Sequence, residues 1–298
     1  MAIFDFLLYY LLVLPLSYLP LRLLYFVSDL LCFIIWYIIP YRKKIVLANM
    51  RNSFPEKTDE EIMALARKFY SHFCDVLIET LKSFTISHKF LEEHITAENA
   101  ELVQRYYDKN RTVIGITSHY GNWEWAALAF SSHSQHKHFG IYSPLKNKFW
   151  NEKIKQSRRR FGLNLVAVAD VAGSFKANIK HPCMYGFISD QTPSNIKRCH
   201  WMQFLNQDTP VLLGAERYAR HFNCVVLFAD ITKQSRGKYS IKYELITDNP
   251  SSTTDTEITE KHVRLLEGRI KARPEYWLWT HRRWKRKRSH IPERESKV

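Results

Sequence analysis

Hydrophobic and polar positions follow three different patterns along this chain, and each pattern predicts a different kind of structure. Residues 1–40 are almost continuously apolar. Residues 41–110 carry apolar residues at every third or fourth position, as amphipathic helices do. Over residues 111–298, short apolar runs alternate with longer amphipathic segments. We therefore expect an apolar N-terminal segment, a helical segment, and a region in which strands alternate with helices.

The alternating region predicts the fold class. Strands that alternate with helices indicate an α/β fold in which helices flank a mainly parallel or mixed central sheet. The apolar runs that predict strands are TVIGITS, HFGIYS, NLVAV, CMYGFIS, CVVLFADI and YSIKYELI. Helices are predicted at 147–162, 173–180, 210–222 and 257–272. Upstream, helices are expected at 45–54 and after Thr58, where TDEE has the pattern of a capping box.

The apolar N-terminal segment is long enough to enter a membrane. Two apolar runs, each close to the roughly 20 residues of a spanning helix, flank Pro20. The segment lacks the leading positive charge and the small-residue cleavage site of a secretory signal. We expect one span with an interfacial helix or a short re-entrant hairpin. A buried helical pair inside a soluble fold is the alternative.

The residues after this segment favour the membrane interpretation. Arg42, Lys43 and Lys44 follow the apolar stretch directly. Cations in that position mark the cytoplasmic side of a membrane and bind anionic headgroups. We therefore predict a membrane anchor over residues 1–40, with the rest of the chain on the cytoplasmic face.

Composition and charge narrow the classes of function. The 298 residues include 44 Lys and Arg against 29 Asp and Glu, a formal charge of +15 that favours anionic partners. A hydrophobic fraction of 46% is too high for a disordered basic tail. The five cysteines are widely spaced and form no CxxC, which argues against a disulfide framework or a metal site. Neither GxGxxG nor GxxxxGK[ST] occurs, so nucleotide-driven chemistry is not indicated.

The block TSHYGNWEW at 117–125 carries the candidate chemistry. Sites in parallel α/β sheets form at the carboxyl ends of strands, and His119 falls at such an end. Glu124 lies in the first turn of the helix that follows, in reach of one imidazole nitrogen. The other nitrogen is then left to face a substrate, as a general base requires. A capped helix with a satisfied histidine is the alternative interpretation of these residues.

Together with other blocks, this stretch resembles the His-x4-Asp/Glu motif of the bacterial lipid A secondary acyltransferases. These are the lauroyl and myristoyl transferases, within the wider glycerolipid acyltransferase group. The resemblance covers most of the chain: the apolar N-terminus, RKKIVLANMRNSFP, SHYGNWEW, YSPLKNKFWNEKIKQSRRRFG, FISDQTP and RPEYWLWTHRRWK.

The resemblance implies a fold and a reaction. It implies a glycerolipid acyltransferase-like fold with a membrane-anchoring N-terminus, at the bacterial inner membrane. The implied enzyme moves a fatty acyl chain from acyl carrier protein to a hydroxyl of a lipid A precursor, without a cofactor. His119 would be its general base, and Glu124 would orient His119 and stabilise the imidazolium.

Further blocks supply candidates for substrate binding. Asp190 and Gln191 in SDQTP follow a predicted strand and match a family block near the site. A turn in which Asp190 caps local amides is the alternative. Arg158 and Arg159 have the guanidinium geometry that suits lipid phosphates. A solvated basic face is the alternative for this pair.

One departure from the family concerns the acceptor. The family usually has an arginine in a YRP segment, where this chain reads Tyr142-Ser143-Pro144. Either Lys146 or Lys148 replaces that charge, or the acceptor differs from the usual lipid A precursor. The substitution leaves the identity of the acceptor open more than the type of reaction.

Other functions stay open beside lipid A acylation. The acceptor could instead be a lysophospholipid or an aminolipid, or the chain could be a non-catalytic basic protein that binds anionic lipid. The C-terminal block PEYWLWTHRRWKRK interleaves tryptophans with cations, which suits nucleic acid or a membrane interface. The apolar N-terminus favours the membrane, so nucleic acid is not an expected partner. We expect the last residues to be mobile.

Overall fold

A central sheet organises the structure, a computed structural model that describes residues 2–288. Within these residues the sheet has seven strands in the order β1-β9-β8-β2-β5-β3-β4. All neighbours pair in parallel except β8 and β9. Strands β6 and β7 form a separate antiparallel hairpin. The strands are β1 (Ile95–Ala97), β2 (Val113–Thr117), β3 (Lys137–Tyr142), β4 (Asn164–Ala167), β5 (Cys183–Ile188), β6 (Cys199–Phe204), β7 (Gln207–Leu212), β8 (Val225–Ser235) and β9 (Lys238–Thr247).

Helices cover both faces of the sheet. A π-helical segment, Tyr9–Val13, joins the first two of them, and another, Ile34–Ile38, extends the third. The helices are α1 (Ala2–Leu8), α2 (Leu14–Tyr18), α3 (Leu21–Phe33), α4 (Lys43–Ser53), α5 (Asp59–Lys82), α6 (His88–His94), α7 (Ala100–Asp108), α8 (Trp123–Ala129), α9 (Lys148–Arg159), α10 (Val171–Ala177), α11 (Gly214–Phe222) and α12 (Glu257–Ala272).

Each face of the sheet has its own hydrophobic core because side chains alternate along a strand. In β8, Val226 and Phe228 pack in one core, whereas Val225 and Leu227 pack in the other. The first core includes residues of α4, α5 and α12, and the second includes residues of α6, α7 and α8. A sheet buried on both faces explains why its strands read as continuous apolar runs.

The predicted fold class is confirmed, and so are its six predicted strands. The capping box is confirmed as well: Thr58 accepts from the Glu61 amide, and Glu61 accepts from the Thr58 amide. The helix predicted at 210–222 starts late, at Gly214, because residues 207–212 pair with β6. Edge strand β1 lies in the segment predicted as helical, 41–110, where three residues are too few to show a strand pattern.

The C-terminal tryptophans belong to the core rather than to an interface. Trp277 and Trp279 are buried, and so is the guanidinium of Arg283, which donates to the carbonyl of Pro210 at 2.7 Å. The mobile end that the sequence predicts, together with the tail of the 111–298 region, lies outside the described residues.

The apolar N-terminal segment forms two helices that break at Pro20, with the first running from Ala2 to Tyr18. One described helix, Leu21–Ile38, is long and apolar enough to cross a membrane, by length and composition. Both N-terminal helices contact the α/β domain, the first at α9 and α5 and the second at α5.

Candidate active site

The turn between β2 and α8 places His119 at the carboxyl end of a central strand. Gly121 makes this turn with φ of 60°, and a Cβ atom there would lie 2.9 Å from Cγ2 of Ile231. Asn122 then caps α8 by accepting from the amide of Trp125 at 2.8 Å. A left-handed glycine and a side-chain cap therefore fix where the strand stops and the helix starts.

The C-terminal segment holds the same turn in place. The amide of Gly121 donates to the carbonyl of Tyr276 at 3.0 Å, and the amide of Leu278 donates to the carbonyl of His119 at 3.1 Å. The hydroxyl of Tyr120 donates to the carbonyls of Arg269 and Arg273 at the end of α12. These contacts leave the His119 backbone little freedom.

Asp190 is the carboxylate that holds the ring of His119. Its Oδ1 lies 2.7 Å from Nδ1 of His119, and its Oδ2 accepts from the His119 amide at 3.0 Å. Trp277 donates its indole N–H to the same Oδ2 at 2.9 Å. Asp190 follows β5, which neighbours β2 in the sheet, so both residues emerge at the same edge.

Burial and this pairing act in opposite directions on the two groups. Burial lowers the pKa of His119, but the charge of Asp190 and its hydrogen bond outweigh burial, and the resulting pKa is raised above its usual value. Burial would raise the pKa of Asp190, yet His119, followed by the Trp277 hydrogen bond, brings it down to about 2. Asp190 is therefore ionised at neutral pH and favours the imidazolium form of its partner.

The hydrogen bonds also assign the tautomer of His119. In the neutral ring, Nδ1–H donates to the Asp190 carboxylate and Nε2 carries no proton. The side-chain amide of Gln191 lies 3.1 Å from Nε2 and donates to it. In the neutral form of His119, the atom that a general base uses is thus free of a proton and faces the cavity that His119 and Gln191 both line.

Glu124 does not lie where the sequence predicts it. Its Oε2 accepts from Arg158 Nη2 at 2.8 Å, and the Nδ1 atom of His119 is occupied by Asp190. Glu124 lies near enough for its charge to raise the pKa of His119, as a smaller contribution than that of Asp190. The orienting carboxylate expected at Glu124 is thus corrected to Asp190, because β5 brings that residue closer.

The other predicted binding residues divide into two groups. Arg158 and Gln191 line the same cavity as His119. Arg159 and Lys146 are exposed and are not among the residues that line it. Ser143, where the resemblance leads one to expect arginine, does line the cavity.

Two cavities meet beside His119. One is the larger and combines polar with apolar lining. The other is smaller, is lined mostly by apolar side chains and lies between α8 and the sheet. Their shared lining residues are Trp123, Glu124, Ile141, Arg158 and Ile188. The Glu124–Arg158 ion pair therefore stands where the polar cavity gives way to the apolar one.

A row of glycines forms the floor of the apolar cavity. Gly186 of β5 pairs with Gly115 of β2 on one side and with Gly140 of β3 on the other. A Cβ atom at Gly115 or Gly186 would come within 3.3 or 3.4 Å of the Phe130 ring. The cavity continues past this row across the sheet, to Ala229 of β8 and Tyr243 of β9. Absent side chains on adjacent strands thus leave room for the Phe130 ring to pack close to the sheet beside this cavity.

Within the described part of the chain, no group of three or more His, Cys, Asp or Glu residues is placed to hold a metal ion.

Trp277 is the functional candidate that sequence reasoning missed. Its signal was present in the RPEYWLWTHRRWK block, but that block also fitted core packing and a membrane interface.

Comparisons with known proteins bear on this site. Residues 2–286 match a family model described as bacterial lipid A biosynthesis acyltransferase. No curated protein matched the chain. The family match spans nearly all of the described residues, including both N-terminal helices and the C-terminal segment that binds Asp190.

Proposed function

The chain belongs to the bacterial lipid A biosynthesis acyltransferase family and is an acyltransferase, and on that premise we propose a specific reaction. A fatty acyl chain moves from acyl carrier protein to a hydroxyl of a lipid A precursor, with His119 as general base. The observation that carries this proposal is the His119–Asp190 pair at the junction of a polar and an apolar cavity.

Nε2 of His119 takes the proton of the acceptor hydroxyl as that oxygen attacks the thioester carbonyl. The tetrahedral intermediate then collapses, the C–S bond breaks, and the imidazolium returns its proton to the leaving thiolate. Asp190 holds the ring in the required tautomer and stabilises the transient positive charge, as the third member of a catalytic triad does. The substrate hydroxyl replaces the Gln191 amide as the partner of Nε2.

The apolar cavity suits the acyl chain of the donor. Its lining is almost free of polar groups, and its mouth is shared with the cavity that contains His119. An extended hydrocarbon threaded over the glycine row would place its carbonyl beside the Glu124–Arg158 pair. The Arg158 guanidinium and the Gln191 amide are donors facing this point, suited to the negative charge that develops on the carbonyl oxygen.

The polar cavity suits the head of the acceptor lipid. Lys155 and Arg158 of α9 line it, and their charges complement the phosphates of a lipid A precursor. The net charge of +15 likewise favours an acidic acyl carrier protein as the partner that delivers the acyl chain. We place the enzyme at the cytoplasmic face of the inner membrane, where the apolar N-terminal helices meet lipid.

The first experiment tests the base. Membranes containing His119→Ala are assayed for acyl transfer from acyl carrier protein to a lipid A precursor, and a loss of about 10²–10⁴-fold is expected. His181→Ala is the matched control, because His181 is exposed and lies away from the cavity lining. A rate near wild type for His119→Ala would remove the proposal and leave a non-catalytic lipid-binding role.

A second acceptor is favoured by Ser143. This residue lines the polar cavity where the family usually offers an arginine, so the phosphate contact there is reduced. A lysophospholipid or an aminolipid would tolerate that loss. Mass spectrometry of lipids from a deletion strain separates the acceptors, because the lipid that lacks one acyl chain identifies the substrate.

A further inference from the structure

The outward side of the second N-terminal helix is a continuous apolar stripe. Leu23, Phe26, Leu30, Phe33 and Tyr37 follow one another at intervals of three or four residues, and each is more than half exposed. Such spacing places all five on one face of a helix. The first helix adds its own exposed apolar side chains to the same region of the chain: Ile3, Phe4, Phe6, Leu7, Leu11 and Leu12. An exposed apolar surface of this extent marks an interaction site.

The opposite side of the same helix is bonded to the α/β domain along its length. Tyr25 donates to Glu79 Oε1 at 2.6 Å, and Ser28 donates to Asp75 Oδ1 at 2.9 Å. Further along, the ring of Trp36 packs on Tyr70, with centroids 5.6 Å apart. Later residues of this helix contact earlier residues of α5, so the two helices lie side by side and antiparallel.

The turn that precedes this helix is bonded to the domain as well. Lys82, at the end of α5, donates to the carbonyls of Ser17 and Leu19 at 2.9 and 2.8 Å. Thr85 donates to the carbonyl of Ser17 at 2.5 Å. Both ends of the candidate spanning helix are thus held by the same helix of the catalytic domain.

These contacts are incompatible with a helix that crosses the bilayer. Arg236, in the turn between β8 and β9, binds both Asp29 and Asp75, at 2.5 and 2.6 Å. If the helix crossed the hydrocarbon, this ion-pair network and Lys82 would be carried into it, where charged groups are costly. If these charged groups stay in water, the helix must stay packed against the domain. Only its apolar stripe can then contact lipid.

The first helix is tied to the active-site cavity. Asp5 accepts from the Trp150 indole at 2.9 Å and from the Asn147 side chain at 2.8 Å. Trp150 belongs to α9, the helix that also carries Arg158 of the cavity lining. The apolar surface therefore borders the helix that forms one wall of the polar cavity.

We propose that residues 2–38 form an in-plane hairpin, which inserts its apolar surface into one leaflet of an anionic bilayer and spans nothing. This deepens the membrane location given under the proposed function and rests on it. In-plane amphipathic helices enter the bilayer by about 5–10 Å. The cations Arg22, Arg42 and Lys44 are exposed beside the apolar surface, in position to meet anionic headgroups. An acceptor lipid can then reach the cavity by lateral diffusion in the same leaflet.

Side-specific labelling decides between an in-plane and a spanning hairpin. Arg22→Cys places a thiol in the first turn of the second helix, next to the break at Pro20, and Ile179→Cys places one on the exposed surface of the catalytic domain. A membrane-impermeant maleimide is applied to inverted vesicles and to intact spheroplasts, with the wild-type cysteines as background. Both introduced thiols are expected to react in inverted vesicles and to be protected in spheroplasts. Labelling of the Arg22→Cys variant above background in spheroplasts would overturn the in-plane hairpin.

Vesicle binding tests the apolar stripe itself. The purified protein is floated with vesicles of phosphatidylglycerol and phosphatidylethanolamine. Phe26→Gln/Leu30→Gln is expected to weaken partitioning at least about tenfold, since each change removes an exposed apolar side chain that would enter the bilayer. Ile179→Gln/Leu245→Gln removes two exposed apolar groups elsewhere and should bind as wild type does. Equal binding by the two double variants would also overturn the proposal.

The two experiments together separate the hairpin geometry from the membrane location. Failure of the wild-type protein to bind vesicles would remove the membrane location given under the proposed function. Vesicle binding together with labelling of the Arg22→Cys variant from outside would remove the in-plane geometry alone.

Discussion

Asp190 Oδ1 lies 2.7 Å from Nδ1 of His119, although 71 positions separate the two residues. The sheet order explains this closeness, because β5 and β2 are neighbours and both residues follow their carboxyl ends. The same carboxylate accepts from the Trp277 indole, so three distant segments converge on one side chain. We propose that this buried carboxylate sets the charge and tautomer of His119.

Asp190→Asn should lower the rate and shift its pH dependence. The charge of Asp190 is what raises the pKa of His119 against the effect of burial, so its removal lowers that pKa. Because the base must be neutral to act, the acid limb of kcat/KM moves to lower pH. The plateau should fall by about 10²–10⁴-fold, since an asparagine no longer holds the productive tautomer or supports the imidazolium. The full pH–rate profile is the measurement.

The control for this change is Asp248→Asn, at an exposed position outside the cavity lining. It should retain the wild-type profile. An Asp190→Asn enzyme with an unshifted acid limb would contradict the role of Asp190, even if its rate were lower.

The sequence predicted His119 but not its partner, for a physical reason. His119 follows an apolar run and precedes an N-cap, and both signals are local. The pairing with Asp190 depends on which strands become neighbours, and β3 and β4 intervene along the chain between β2 and β5. Glu124 is only five positions from His119, so the local spacing predicts Glu124 instead. The helix predicted from residue 210 begins at Gly214 instead, because residues 207–212 pair with β6 in a hairpin.

Glu79 connects the N-terminal hairpin to the active-site turn. This buried carboxylate accepts from Tyr25 at 2.6 Å, from Tyr239 at 2.7 Å and from the side chain of Asn122 at 2.6 Å. Asn122 is the cap of α8, so Glu79 positions the residue that ends the His119 turn.

Glu79→Gln should therefore change how stability depends on pH. Burial raises the pKa of Glu79 to about 7, above the 4.5 of an unperturbed glutamate. Between these values the folded protein binds more protons than the unfolded one, so stability falls as the pH rises through this window. The free energy of unfolding is expected to fall by an amount on the order of 3 kcal/mol across this window, at about 1.36 kcal/mol per pKa unit. Thermal unfolding of detergent-solubilised protein from about pH 4.5 to about pH 7.5 should show this fall in wild type and a flatter profile in the variant. Parallel profiles would contradict the assignment.

Glu124 and Arg158 should behave as a unit in kinetics. Their side chains bond at 2.8 Å at the point where the two cavities meet. Glu124→Gln and Arg158→Met should each lower kcat/KM by about 10- to 100-fold, and the double variant should be no worse than the poorer single one, as for groups that act together. Arg159→Met is the matched control, since Arg159 is exposed and next in sequence. Multiplicative losses in the double variant would show that the two side chains act independently.

The row of glycines should determine which lengths of acyl chain the enzyme accepts. Gly186→Ala adds a methyl group 3.4 Å from the Phe130 ring, in the middle of the row over which the chain is proposed to pass. If this excludes one or two methylenes from the apolar cavity, each loses about 0.8 kcal/mol of burial. The kcat/KM for the longest accepted donor should then fall roughly 4- to 15-fold relative to shorter ones. Competition between acyl carrier proteins loaded with chains of different length measures this ratio. Gly173→Ala is the control, because a Cβ atom there meets nothing within 4 Å. An unchanged chain-length preference in Gly186→Ala would place the acyl chain elsewhere than over the glycine row.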